Sequence, residues 1–290
     1  MNAIKSSQAT KSSLALVLGF SLWASSLKTY ADPFGLWINA NSTNSYSDAS
    51  KWIPIGGSLS GPGGIPGSNN DAYIFDGTVQ VANGGNFNPQ QLIMGWENWH
   101  VGEFQQTGGT TRTESWTRVG YAGSQTFNQS GGSFSASDLM VGWVNPGKNP
   151  GTGVVNQTGG NFETRSIAYV GLQGGTGTLN VGGGTNTSTR MIVGWTAGGN
   201  GTINLTGGNM SVYESSLVGF DGGTGILNIS GGTYTATGTP SVYGADNLGS
   251  FRIADFGVGT GTVNLSGSGT VNAARYTAVG GWGNGTLNIT

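Results

Sequence analysis

Apolar and polar residues alternate in short runs along most of this chain, and the runs return at a regular interval. In Thr202-Ile-Asn-Leu-Thr206 the alternation places Ile203 and Leu205 on one face of a strand and Thr202, Asn204 and Thr206 on the other. The same pattern is an Asn between apolar neighbours, then Ser or Thr, then in most copies a Gly pair. It recurs as FNQSGG from Phe127, VNQTGG from Val155, INLTGG from Ile203 and LNISGG from Leu227. Weaker copies start at Leu179 (LNVGGG) and Val263 (VNLSGS), and Val79 to Gly85 reads as a degenerate first copy. With Gln105 as a variant, the column is Gln105, Asn128, Asn156, Asn180, Asn204, Asn228, Asn264 and Asn288, in steps of 23, 28, 24, 24, 24, 36 and 24 residues. A period in this range marks a solenoid, propeller or array. This unit is too short and too strand-rich for helical repeats.

Each unit predicts three short strands. After the Gly pair, a second strand carries Phe134, Phe162, Met210, Tyr234 and Val271 in one column. A third carries Val-Gly and a bulky residue, as in Val119-Gly120-Tyr121, Val141-Gly142-Trp143, Val170-Gly171-Leu172, Val193-Gly194-Trp195 and Val218-Gly219-Phe220, with Met94-Gly95-Trp96 as an early variant. Alternation puts the bulky residue on the inward face of the preceding Val, so a buried aromatic stack is expected, with a sugar-stacking platform as the competing reading. Three strands per coil, each paired with its counterpart one coil on, make an all-β parallel β-helix, a β-solenoid of about nine coils of about 24 residues. The handedness of parallel crossovers favours a right-handed coil.

Residues 79–290 are the expected solenoid and 32–78 an irregular N-terminal cap, rich in Pro and Gly, with Trp37, Trp52 and a strand-like Asp71 to Phe75. A solenoid needs an atypical first unit, because its first coil would otherwise expose apolar core and unpaired backbone. The 28-residue step holds an insertion near 145–150 and the 36-residue step twelve extra residues within 237–250. Insertions in solenoids become loops on one face, often the binding face; neutral drift in a tolerant turn is the plainer account. The longer loop supplies the candidate ligand-binding residues Tyr243, Asp246 and Asn247.

Composition sharpens this picture. Gly is 56 of 290 residues and charged residues are 8%, yet 36% of the chain is hydrophobic at recurring places, so the chain is ordered. The absence of Cys excludes disulfides, cysteine metal sites and cysteine nucleophiles. Residues 1–31 read as an export signal: Lys5 and Lys11, a short apolar stretch from Leu14 to Trp23, and a cleavage site at Thr29-Tyr30-Ala31. An uncleaved anchor is the alternative. Net charge is −2, and loss of that segment leaves 8 basic against 13 acidic residues, which argues against nucleic acid as a partner.

The strings GTGTLNVGGG, GTINLTGG and GILNISGGTY, each followed 14 to 18 residues on by Val-Gly, resemble the repeat of autotransporter passengers and of PEP-CTERM-associated exported bacterial proteins. The resemblance covers about residues 79–290, and the order Trp37, Trp52, Pro66-Gly67, Asp71-Ala-Tyr-Ile is similar to the entry segment of such proteins. It implies a parallel β-helical passenger, secreted or on the outer cell surface, adhesive or structural. The family's C-terminal β-barrel or sorting tail is not in this sequence, which stops in mid-strand at Thr290, so a longer parent protein is expected, reaching a membrane only through that missing segment.

Chemistry-bearing residues are sparse. The Asn column creates sequons, which read as by-products of stacked Asn and Ser/Thr ladders rather than as glycosylation sites. The flat Thr-x-Asn-x-Thr face could meet ice, but Ile226 and Gly182 interrupt its Thr columns. Trp99 and His100 beside Glu97 and Glu103 offer a weak glycosidase constellation. The 13 acids scatter without a calcium-binding cluster, so no metal or other cofactor is expected. Arg190 and Glu214, each 14 residues before a column Asn, are expected to stack one coil apart as an exposed pair contributing at most about 1 kcal/mol. The functional expectation is an exported bacterial passenger or stalk, structural or adhesive and not catalytic. Expected partners are a host or matrix surface polysaccharide or protein, or end-to-end copies of itself. A carbohydrate-binding module or a polysaccharide-degrading β-helix enzyme is the alternative.

Overall fold

The computed structural model describes residues 33–144, 147, 149–238, 249–255 and 257–290. These form an all-β parallel solenoid in which the coil strands pair with their counterparts one coil away. The Asn column holds residue for residue: Gln80, Gln105, Asn128, Asn156, Asn180, Asn204, Asn228, Asn264 and Asn288 are successive Cα partners. Those nine positions bound about eight turns, one fewer than expected. Across the 28- and 36-residue steps the strands still pair rung to rung, Asn128 with Asn156 and Asn228 with Asn264, so the longer steps add no turn.

From Val101–Gln106 on, the first strand of each coil is six residues long and alternates as expected. In Asn200–Leu205, Ile203 and Leu205 are fully buried, while Thr202 and Asn204 are half-buried on the outside. The second and third strands are not separate in mid-solenoid. They fuse into one long strand, as in Ser133–Trp143, Asn161–Leu172, Thr185–Trp195 and Asn209–Phe220. A bulge forms the corner, with register shifts between Thr164 and Ile167 and between Ser188 and Arg190. No Gly pair lies at that corner, so the chain bends by inserting a residue rather than by turning.

The cap contains regular strands. Strand β1 (Phe34–Ser45) pairs in parallel with β3 (Asp71–Val81), and β2 (Trp52–Ile55) pairs antiparallel with β1, Trp37 opposite Trp52. Strand β1 is thus a first coil, and β2 covers the edge that a parallel stack leaves unpaired. The rings of Trp37 and Trp52 meet at 5.0 Å, both buried, and the Trp52 indole donates to the Tyr46 carbonyl at 2.8 Å. The expected boundary at 78/79 falls inside β3, so cap and solenoid share a strand.

Inside the tube, Phe104, Phe127, Phe134 and Phe162 pack ring on ring, with centroids 4.6 to 5.5 Å apart. The column of Phe134 and Phe162 continues through Met210 and Tyr234 to Val271 as expected, but Asn186 also occupies it, 3% exposed. Its amide donates to Gln157 Oε1 at 3.0 Å. Gln157 belongs to an inward glutamine column, Gln106, Gln129 and Gln157, whose amides donate to the carbonyls of Ser133, Asn161 and Thr185 one coil on, at 2.7 to 2.9 Å. Alternation from the buried Phe127 puts Gln129 on the core face. Buried amides there bind adjacent turns together where later coils use Val181, Leu205 and Ile229.

Outside the tube the Asn column forms a ladder. Each side-chain amide from Asn156 to Asn288 donates to the Oδ1 of the preceding Asn at 2.7 or 2.8 Å. All the amides point the same way, and the run ends where Asn128 donates to the Glu103 carboxylate, so the aligned donors terminate on a charge. The Asn amides of the sequons are therefore engaged in rungs; the neighbouring Ser and Thr are not part of them. Asn204→Ala removes two rungs that water can partly replace, and is expected to cost about 1–2 kcal/mol in urea unfolding.

Candidate functional site

The most distinctive surface is the outside of the third strand. The bulky residue after each Val-Gly was expected inside, but it lies outside. The Gly in between has positive φ, +69° at Gly142 and +70° at Gly194. That conformation breaks the two-residue alternation, so Val141 and Val193 stay in the core while Trp143 and Trp195 emerge half-buried on the exterior. Tyr121 and Phe220 are likewise half-buried, whereas Trp96 and Leu172 are covered.

Three residues before the bulky residue runs a second outward column, Ile93, Arg118, Met140, Tyr169, Ile192, Leu217 and Arg252. The two columns make an apolar band along the rod. Rings run through Phe34, Tyr73, Trp96, Tyr121 and Trp143 at 4.8 to 5.7 Å. The guanidinium of Arg118 lies 4.9 Å from the Trp116 ring and 5.4 Å from those of Tyr121 and Trp143, a half-buried cation–π contact. Leu172 interrupts the rings, and beyond it Tyr169 and Trp195 stack at 5.0 Å and 18°. The Trp143 indole donates to Gln173, and that of Trp195 has no acceptor among the described residues.

Here the band opens into a groove of about 350 Å³ spanning four coils, with Tyr169, Ile192, Trp195, Leu217 and Phe220 on its walls and Arg190 and Arg252 at its margin. Burial, then the nearby Asp138 carboxylate, raises the Tyr169 phenol above its ordinary pKa, so it remains a neutral hydroxyl. Arg252 donates to the Tyr276 hydroxyl, lies 5.3 Å from that ring, and reaches Asp255 at 3.6 Å.

Arg190 and Glu214 do pair, at 2.7 Å, as their spacing predicts. The pair is not exposed, however: the Glu214 side chain is 3% accessible against 32% for Arg190. The bulge after Ser188 puts Ser215 opposite Arg190 and turns Glu214 under the surface. Burial changes the energetics, because removing one partner strands a desolvated charge. Arg190→Ala is expected to destabilise by about 3 kcal/mol, several times more than loss of an exposed pair. The double variant Arg190→Ala/Glu214→Leu should recover most of that loss, measured by guanidinium unfolding.

Two members of the glycosidase constellation, His100 and Glu103, make contacts within the solenoid. His100 is buried and stacks on Phe75 at 4.2 Å, and its Nδ1 accepts the backbone N–H groups of Trp96 and Glu97. Glu103 accepts from Thr78 and Asn128. Acids and bases do gather on the corner bulge, where Arg112 grips Glu114 at 2.8 and 3.1 Å and Arg165 bonds Ser135, itself a donor to Glu163. Its hydrogen bond to Arg112 holds the Glu114 carboxyl below its ordinary pKa, and burial lowers that of Arg165. The corner is an ion-pair network on an exposed edge, with Arg112 and Glu114 nearly half accessible. Among the described residues no three His, Asp or Glu side chains gather as a metal site would. Tyr243, Asp246 and Asn247 lie outside the described residues, as do Asn145, Pro146 and Lys148 of the shorter insertion. Comparison with protein-family models, curated proteins and solved structures gives no match.

Proposed function

We propose that this chain is the stem of an exported bacterial surface protein, a β-solenoid passenger or stalk that is structural or adhesive rather than catalytic. The observation that carries this reading is the unbroken register of the first strand over about eight turns. At about 4.8 Å per rung those turns make a rod of roughly 38 Å. Paired strands, stacked Phe rings and the Asn ladder supply stiffness along the axis, which suits holding something away from a surface. The N-terminal segment ending at Ala31 and the likeness of the repeat to exported passengers support the same reading. A carbohydrate-binding role within that stem is favoured by one observation, the aromatic column turned outward by Val-Gly.

The test is the fate of the protein in the cell that makes it. A mature N-terminus at Asp32, with antibody or protease access to the solenoid in intact cells, is the expected result. An intact N-terminus and a solenoid reachable only after lysis would sink the proposal.

A further inference from the structure

We infer that the groove between the coils of Tyr169 and Arg252 binds an acidic polysaccharide, a chain of uronic acid units laid along the solenoid axis. This deepens the adhesive reading of the stem and rests on it for its biological setting, though not for its physics.

Three observations select the ligand. The walls are apolar and aromatic, Tyr169, Trp195, Leu217 and Phe220, as the C–H-rich face of a sugar requires. The charged side chains that line the groove are both cationic, Arg190 and Arg252, each with one carboxylate partner, Glu214 and Asp255. Glu214, the carboxylate that pairs with Arg190, lies beneath the surface and outside the groove wall, so an approaching ligand meets guanidinium first. Guanidinium matches carboxylate in shape and charge. Lastly, the walls repeat with the coil: Tyr169, Ile192 and Leu217 are partners on successive rungs about 4.8 Å apart. That spacing is close to the length of one pyranose unit, so successive sugars meet successive coils.

The experiment titrates the full chain with oligogalacturonate and oligoalginate, and with methyl-esterified oligogalacturonate, which keeps the sugar and removes the charge. Binding is read by calorimetry and by Trp fluorescence. A free-acid oligomer is expected to bind about tenfold more tightly than the ester, the size of one charge-assisted hydrogen bond, and to weaken as salt rises. Leu217→Glu and Arg252→Gln alter outward-facing side chains and should each weaken acid binding by about tenfold with circular dichroism unchanged. Equal binding of acid and ester overturns the inference, as does wild-type binding by both variants or no binding by either uronate. Poly-glutamate binding as tightly as the uronates would reassign the groove to acidic peptides and overturn it too. None of these outcomes bears on cellular location. Uronate binding by a protein retained inside the cell would keep the groove and sink the surface-stem reading.

Discussion

Gly142→Ala is expected to lose more than about 4 kcal/mol of stability, an effect in the exceptional range for one methyl group. Two costs add. Gly142 sits at φ +69°, and an L-residue in that left-handed region costs about 1–2 kcal/mol. A Cβ there would also lie 2.0 Å from the Thr176 carbonyl oxygen, 2.1 Å from its carbon and 2.5 Å from the Gly177 nitrogen. Those are backbone atoms of the next coil, held by the parallel ladder, so no rotamer change relieves the clash. Gly84→Ala is the control: its φ is +78°, but a Cβ there meets nothing within 4 Å, so only the backbone cost of about 1–2 kcal/mol applies. Guanidinium unfolding of both variants decides the matter. Equal losses at the two positions would show that coil contact does not constrain the Val-Gly turn. The test bears on function because the same glycine aims Trp143 outward.

Phe127→Ala is expected to cost about 3–5 kcal/mol. Phe127 is fully buried and its ring touches those of Phe104, Phe134 and Phe162 at 4.9, 4.8 and 5.5 Å. The backbone around it is paired on both edges, with strands Val101–Gln106 and Thr152–Gln157, so the coil cannot collapse into the void. In a solenoid each coil contacts only its neighbours, so the loss should be local. Hydrogen exchange should therefore show protection falling in the strands around 101–106, 124–129 and 152–157, with little change near 224–229. Ile226→Ala, on the outer face of its strand, should cost under about 1 kcal/mol. Uniform loss of protection along the chain would mean that the solenoid unfolds as one unit.

The repeat was legible in the sequence because its physics is local. A strand alternates every two residues whatever surrounds it, so Ile203 and Leu205 could be assigned inward and Asn204 outward from five letters. The constant step between Asn residues then implied coil-on-coil pairing, and the ladder from Asn128 to Asn288 follows from that column. The Arg190–Glu214 partnership was readable for the same reason.

What needed the tertiary structure were the places where local geometry departs from alternation. Gly142 and Gly194 hold positive φ where the backbone of Thr176 and Thr224 comes too close to leave room for a Cβ, and that turn moves the aromatic column from core to surface. The corner bulge, formed without a Gly pair, shifts register beyond Ser188 and buries Glu214. Strand β2 folds back antiparallel on the first described coil and pairs with its edge, a fact of assembly and not of spacing. The sequence by itself determined the period, the parallel coil and the inward face of its first strand. The groove between Tyr169 and Arg252 needed the tertiary structure, because the positive-φ glycines turn Trp195 and Phe220 outward against the alternation that the sequence shows.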